Sequence, residues 1–517
     1  MNYRIFIILA LIFCLGFGTI PLQAQQPEQA TEQVQQDSAQ TPPDAQDQTG
    51  ADVDPQQGAH TEEAHAEEDH GEGHGDHHDP SPFMVIPFIV LLLMIATGPV
   101  FFEHFWHKNY KWIAPALGFI TLLYYLFVLH NGHEPAHALS EYLSFIALLG
   151  PLYVASGGIL IQIDREGKPM ANLALLIIGS VIANVIGTTG ASMLLIRPFI
   201  RLNRDRLRPY HIIFFIFMVS NVGGALTPIG DPPLFLGFLR GVPFFWTVGH
   251  VVVPWAFALV LLGAVFLWFD RRNREDLDKV ETVYSGRVVL RGTKNFLWLA
   301  VIVGAVFLDP NVFPWVPAIE WEGTKFSFLR EIIQLSAGAG SYYFANKQAL
   351  RGNEFTFEPI LEVVFLFMGI FFAMMPALQL ISSFAAAPEN ANLITEHTLY
   401  WSTGILSSFL DNAPTYVNFL SAATAKFQLS VGSPADVKVF ALGTQDAITS
   451  LYLEAISVAA VFFGAMTYIG NGPNFMVKAI AEERGVKMPS FFAYMIRYSI
   501  IILMPILFLT WLIFFGL

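Results

Sequence analysis

The sequence predicts an all-α polytopic membrane protein of about ten transmembrane helices plus two re-entrant hairpins, arranged as two inverted repeats with broken helices. Three observations predict it. Hydrophobic residues make up 54% of the 517 and charged residues only 14%, where a soluble domain carries about 25% charged residues. Apolar runs of about 20 residues, each long enough to cross roughly 30 Å of hydrocarbon as a helix, recur from Phe83 to the C-terminus. A short polar-apolar sequence also occurs twice, once in each half: GALTPIGDPP (224–233) and GAMTYIGNGP (464–473) agree at six of ten positions without a gap.

The N-terminus reads as a secretory signal, residues 1–24: Arg4, an apolar run from Ile5 to Phe17, then Leu22-Gln23-Ala24. Cleavage is expected after Ala24; the other reading is an uncleaved first membrane helix. The single cysteine, Cys14, lies in this segment, so a mature chain has no thiol for disulfides or cysteine chemistry. Residues 25–80 hold fifteen Asp and Glu and no Lys or Arg. Too few of them are apolar to offset the entropy of ordering, so a disordered acidic tail is expected, periplasmic if the signal is used. Its end gathers His60, His65, His70, His74, His77 and His78 among carboxylates. That composition suits weak binding of a divalent transition metal, and it equally suits a plain solvated tail. The formal charge of -14 belongs to this tail; residues 81–517 carry no net charge and no basic patch that would speak for nucleic acid.

The first membrane repeat spans 81–269. A span at 83–102 leads to Lys108 and Lys111, one at 112–130 returns to a loop without Lys or Arg, and one at 140–163 leads to Arg165 and Lys168. This alternation obeys the positive-inside rule for a multi-pass inner-membrane protein. The apolar segment 172–200 starts after Lys168 and ends at Arg201, Arg204, Arg206 and Arg208. A single crossing would carry that cluster to the wrong side, so a hairpin is expected, with its tip in Asn184-Val185-Ile186-Gly187-Thr188-Thr189-Gly190-Ala191-Ser192. Residues 210–240 then cross with interruptions at 220–224 and 227–233, where Gly and Pro break the helix. A span at 244–269 ends in a basic cytoplasmic loop, 270–294.

The second repeat, 295–517, follows the same plan inverted. Spans are expected near 295–309, 328–345 and 357–384, then a hairpin at 398–427 with its tip at Ser407-Ser408-Phe409-Leu410-Asp411-Asn412-Ala413-Pro414-Thr415. A broken span at 452–480 and a last helix at 490–517 complete it.

At two motifs the chain resembles a known group. Asn221-Val222-Gly223-Gly224-Ala225-Leu226-Thr227-Pro228-Ile229-Gly230-Asp231 is similar to the first broken helix of NhaD-type sodium/proton antiporters. Ser408-Phe409-Leu410-Asp411-Asn412-Ala413-Pro414 is similar to their second hairpin tip. The likeness extends over about 83–517, to an ion-transporter superfamily that also holds arsenite permeases and citrate, sodium and dicarboxylate transporters. The resemblance implies a scaffold domain, a transport domain containing both hairpins and both broken helices, and often a homodimer. The first hairpin departs from the NhaD-type pattern: Ala183 stands where that family has the Asp of an Asp-Asn pair.

The residues themselves point to ion exchange. A carboxylate in mid-membrane costs about 2.5–3.5 kcal/mol to insert and is a functional candidate for that reason. Asp411 and Asp231 fall in such segments, and each is also placed to cap a half-helix. One buried carboxylate can hold a proton or a sodium ion, but not both tightly. Asp411 is expected to be the carrier, with Asn412, Thr415, Asn184, Thr188 and Thr189 as oxygen ligands. Asp231, Asn221, Thr227, Thr467, Asn471 and Asn474 would complete the pocket. Glu358, Glu362, Asp446 and Glu454 read as interfacial or capping groups. The expected activity is sodium/proton antiport by a secondary transporter, with no cofactor beyond the transported sodium and protons and only lipids and small ions as partners. A sodium- or proton-coupled transporter of citrate or another anion would share the scaffold, its substrate held at half-helix N-termini. A divalent-metal exporter is motivated only by the histidine-rich tail, and neither a sensor nor an enzyme is suggested by any domain or residue cluster.

Overall fold

The computed structural model describes residues 80–273, 286–308, 310, 313, 315–321 and 324–516. The signal segment, the acidic tail with its six histidines and part of the basic loop lie outside the described residues. In chain order the helices are α1 (Ile86–Phe101), α2 (Glu103–Phe127), α3 (His133–Gly157), α4 (Pro169–Leu202), α5 (Pro209–Met218), α6 (Pro232–Leu239), α7 (Trp246–Arg272) and α8 (Lys294–Ala305). They continue as α9 (Leu329–Tyr343), α10 (Lys347–Gly352), α11 (Glu358–Ala373), α12 (Met375–Ala386), α13 (Glu396–Phe409), α14 (Asn412–Lys426), α15 (Pro434–Leu442), α16 (Ile448–Phe463), α17 (Gly472–Glu483) and α18 (Phe491–Phe514). Eight helices among the described residues are long and apolar enough to cross a membrane, or nine if α11 and α12, bent by 43° at Met374, form one span. The chain is therefore an all-α multi-pass membrane protein. Side chains such as Phe127, Val260 and Leu297 stand well exposed on its flanks, as a surface facing acyl chains requires.

Three spans differ from the sequence expectation. The third ends at Gly157 instead of running to 163, because residues Leu160–Ile163 form a strand, β1. It pairs antiparallel with β2, Val288–Arg291, from the basic loop. Gly292, at φ +79, turns the chain there; a Cβ on it would collide with the Gly158 carbonyl. The spans expected near 295–309 and 328–345 are shorter helices, α8 and α9, of 12 and 15 residues. A second small hairpin, Ile319–Trp321 with Thr324–Phe326, lies between them.

α4 is one unbroken stretch in sequence but not in space. Gly187 breaks it with φ 79 and ψ 154, a conformation open to glycine and few other residues. Asn172 and Asn203 then exchange amide hydrogen bonds at 2.7 and 2.9 Å, although a straight helix would hold them about 45 Å apart. The expected hairpin therefore exists, with its tip at Gly187 and its mouth at Asn172 and Asn203. A second hairpin is formed by α13 and α14, which meet at Leu410-Asp411. Its mouth closes where Lys426 Nζ donates to the Ile394 carbonyl at 2.6 Å.

Each broken helix passes from one mouth to the other. α5 begins beside the first mouth, where Arg206 donates to the carbonyls of Gly167 and Asp270. Its continuation, α6, ends beside α15, with Gly241 against Pro434 just past the second mouth. α16 begins at the second mouth, where the Tyr452 hydroxyl donates to Ile394. α17 ends near the first, with Arg484 and Arg197 sharing Glu354. The two broken helices thus run antiparallel, which is the inversion the decapeptide repeat suggests. Around them α2 crosses α11 at Gly118 and Gly369, where a Cβ on Gly369 would meet the Ala114 carbonyl; small residues allow such close backbone approach.

Candidate functional site

The breaks follow from the repeated sequence. In each copy the Thr hydroxyl donates to a hairpin-tip carbonyl and accepts from the next Gly amide. Thr227 donates to Asn184 O at 2.6 Å and accepts from Gly230 N at 3.2 Å. Thr467 donates to Ser408 O at 2.5 Å and accepts from Gly470 N at 3.1 Å. The two Gly residues of each copy pack against one another: a Cβ on Gly230 would collide with Gly224 O, and one on Gly470 would lie 2.6 Å from Gly464 O. Three of the six identical positions are thereby explained as the parts that fasten an unwound segment to a hairpin tip.

The next position of each copy, Asp231 or Asn471, is the N-cap residue of the following half-helix, and the two meet at the centre. Asp231 is 1% exposed. Its Oδ1 accepts from the Thr188 hydroxyl at 2.8 Å and the Asn471 amide at 2.9 Å, and its Oδ2 accepts from the Asn412 amide at 2.7 Å. One carboxylate thus touches the first hairpin tip, the second hairpin tip and the second broken helix. Asn471 also donates to Ser220 O and to Asn221 Oδ1. Asn221 donates to Asn474 Oδ1 at 2.7 Å, and Asn474 donates to the carbonyls of Gly464 and Thr467. Asn184 fixes the first tip from below, donating to Ser180 O and Gly223 O and accepting from Leu226 N. The Oδ1 of Asn412 is buried and has no hydrogen-bond partner. Among the described residues no Lys or Arg side chain bonds to any of these groups.

Asp411 occupies a different position from the one expected of the carrier. Its Oδ1 caps α14 by accepting from Ala413 N at 3.0 Å, and its side chain is only half-buried. Thr415 donates back to the Asp411 carbonyl within the first turn. Thr189 is half-buried and takes no part in the network. So Asp231, Asn184, Thr188, Asn221, Thr227, Asn412, Thr467, Asn471 and Asn474 are brought together, while Asp411, Thr415 and Thr189 border them. Asp446 caps α16 through Ile448 N. Ser192 and Ser220, whose hydroxyls share a hydrogen bond at 2.7 Å beside the centre, were not singled out in the sequence. Both lie in the motifs that mark the tip and the first break, Ser192 two residues after Gly190 and Ser220 three before Gly223, and that closeness to the glycines was the available signal.

Electrostatically the centre is one carboxylate among neutral dipoles. The N-termini of α6, α14 and α17 converge on it, and their partial positive charge offsets part of the negative charge. Oxygens of a carboxylate, a hydroxyl and an amide are the hard donors that small cations take.

Two crossed hairpins, two antiparallel broken helices and a polar centre closed off inside an apolar bundle define a secondary transporter. The family model described as "Putative citrate transport" matches residues 77–515. The chain belongs to that family, and transport is accordingly its activity. A search of curated proteins finds no match to it.

Proposed function

We propose that the protein is a cation-coupled transporter in which Asp231 carries the coupling ion, exchanging sodium for protons. The observation that supports this most is the company Asp231 keeps: three uncharged donors and no basic side chain. A buried carboxylate without a cationic partner needs a proton or a metal ion to be neutral. Sodium would take oxygens from Asp231, Thr188 and Asn412, whose free Oδ1 is the one ligand atom already without a partner. A proton on the same carboxylate displaces it. The Lys- and Arg-bearing face around the first mouth would lie in the cytoplasm of an inner membrane, following the positive-inside rule.

Family membership favours a second reading, in which the cation site couples to uptake of citrate or a related carboxylate. The organic anion would then be held by half-helix N-termini and amides. One assay separates the two. In proteoliposomes with a pH-sensitive dye inside, a sodium pulse should release protons, and Asp231→Asn should abolish the response. Sodium-stimulated uptake of labelled citrate with no proton release would select the second reading. Flux indifferent to both sodium and pH would remove Asp231 from the coupling role altogether.

A further inference from the structure

The second half-helices of the two broken helices end alike. α6 is closed at its C-terminus by Arg240 and α17 by Arg484. Each arginine reaches out of its broken helix to a glutamate elsewhere in the bundle. Arg240 donates to Glu141 Oε2 on α3 at 2.8 Å, and Arg484 donates to Glu354 Oε1, just after α10, at 2.8 Å. The first pair lies at the face of the second mouth and the second pair at the face of the first.

The two pairs differ in exposure. Glu141 and Arg240 are each 6% exposed. Arg484 is 41% exposed and Glu354 52%, with Arg197 at 3.5 Å on the other carboxylate oxygen. Beside Glu354 lies an open cavity of about 340 Å³ lined by Tyr342, Leu350, Arg351, Phe355 and Thr356. Both pairs are formed here, the first sealed from solvent and the second open to it.

The glutamate at the open face stands on a fixed base. Asn353 donates to the carbonyls of Gly157 and Ile159 at 2.8 and 2.6 Å, tying the loop to the end of α3. Glu354 itself is held at φ +49, in the left-handed region that side chains rarely adopt. At the sealed face the pair is incompletely satisfied. Glu141 Oε1 and Arg240 Nε have no hydrogen-bond partner, and His137 Nδ1 is 3.8 Å from Glu141 Oε1. A buried pair with unsatisfied atoms contributes little net stability while intact, but removing one partner strands a buried charge. Those are the properties of a contact that opens and closes.

We propose that Glu141–Arg240 and Glu354–Arg484 are paired gates, one closing each face of the transporter, so that the transport cycle alternates between them. The inference rests on membership of a transporter family and not on the identity of the ion. Arg197, on the returning arm of the first hairpin, adds that hairpin to the Glu354 gate. In the opposite state the cavity closes as Arg484 and Glu354 become buried, and Glu141 and Arg240 separate into water.

The test is a labelling rate that needs no cargo, so it reads independently of whether Asp231 binds sodium. Thr356→Cys is introduced into full-length Cys14→Ser protein in lipid nanodiscs, where both faces meet solvent, and alkylation by a membrane-impermeant maleimide is timed. Glu141→Gln strands Arg240 only in the sealed state, so it shifts the population away from that state and slows labelling about ten-fold or more. Arg484→Gln, at a position 41% exposed, leaves Glu354 paired with Arg197 and removes the contact that closes the other state, so labelling stays fast or quickens. The exchange Glu141→Arg with Arg240→Glu restores the original rate. Unchanged labelling in a monodisperse Glu141→Gln protein overturns the proposal. So does slowed labelling in Arg484→Gln, which stands as a separate arm should Glu141→Gln not fold.

Discussion

Asp231 and Asn471 occupy the same place in the two repeats, and their difference sets the charge of the site. Were both carboxylates, two like charges would face each other at the 2.9 Å now spanned by an amide donor. With Asn471 in that place the centre holds one negative charge, and the repeat is broken where exchange chemistry needs it broken. Asp231→Asn should therefore abolish coupled flux in proteoliposomes while the purified protein keeps its monodispersity. Asp411→Asn should keep most of the flux, because asparagine caps a helix about as well as aspartate and Asp411 bonds only to Ala413 N. Loss of flux in the second variant with retention in the first would reverse the two roles. Both carboxylates sit at half-helix starts in interrupted apolar segments, and the sequence expectation chose Asp411 because Pro232-Pro233 after Asp231 read as the start of a half-helix that Asp231 merely caps. What separates them is whether other elements bring donors to the side chain. Thr188, Asn412 and Asn471 do so for Asp231 from 43, 181 and 240 residues away, and such pairing has no local signature.

Elements were legible where a local rule dictates them. The first hairpin could be read because basic clusters flank both ends of an apolar stretch, the second because the later half repeats the plan inverted, and the breaks because Gly and Pro interrupt the spans. β1 and β2 could not, since strand pairing between residues 160 and 291 is non-local, and an Ile-rich stretch after a helix reads as its continuation. The shortness of α8 and α9 was hidden in the same way. Gly187 carries the first hairpin, and Gly187→Ala forces a side chain into its φ +79 conformation. A cost of about 1–3 kcal/mol is expected, measured as a lower midpoint of thermal unfolding in detergent. Gly190→Ala, where a Cβ would find its nearest neighbour at 3.4 Å, is the tolerated control. The mouth of that hairpin is tied to α5 and α7 by Asp270, which accepts from Asn172, Arg206 and Tyr210 and pairs with His211. Arg206 and Asp270 are almost completely buried. Asp270→Asn leaves the Arg206 charge without its partner and should cost about 3–5 kcal/mol. Proteolysis of the 203–208 segment should rise with it.

Across the whole molecule the arrangement depends on direction. Each broken helix starts at one mouth and ends at the other, and the hairpin tips meet at Asp231, so the site lies between the two mouths. This makes the two faces distinguishable in an experiment. Lys168 and Arg204, at the ends of the first hairpin, are 68% and 43% exposed. His397, at the start of the second, is 47% exposed. A straight crossing of 172–200 would place Lys168 and Arg204 on opposite sides of the bilayer. A hairpin places them together and His397 across from both. Single cysteines at the three positions, in a Cys14→Ser background and in sealed vesicles of one orientation, should therefore divide two to one. The cysteines at 168 and 204 should react with an impermeant maleimide from one side, and the cysteine at 397 only after the vesicles are opened or inverted. Reaction at 168 and 204 from opposite sides would turn the first hairpin into an ordinary span. That would remove Thr188 and Asn184 from the centre, leaving Asp231 with donors from the second repeat alone.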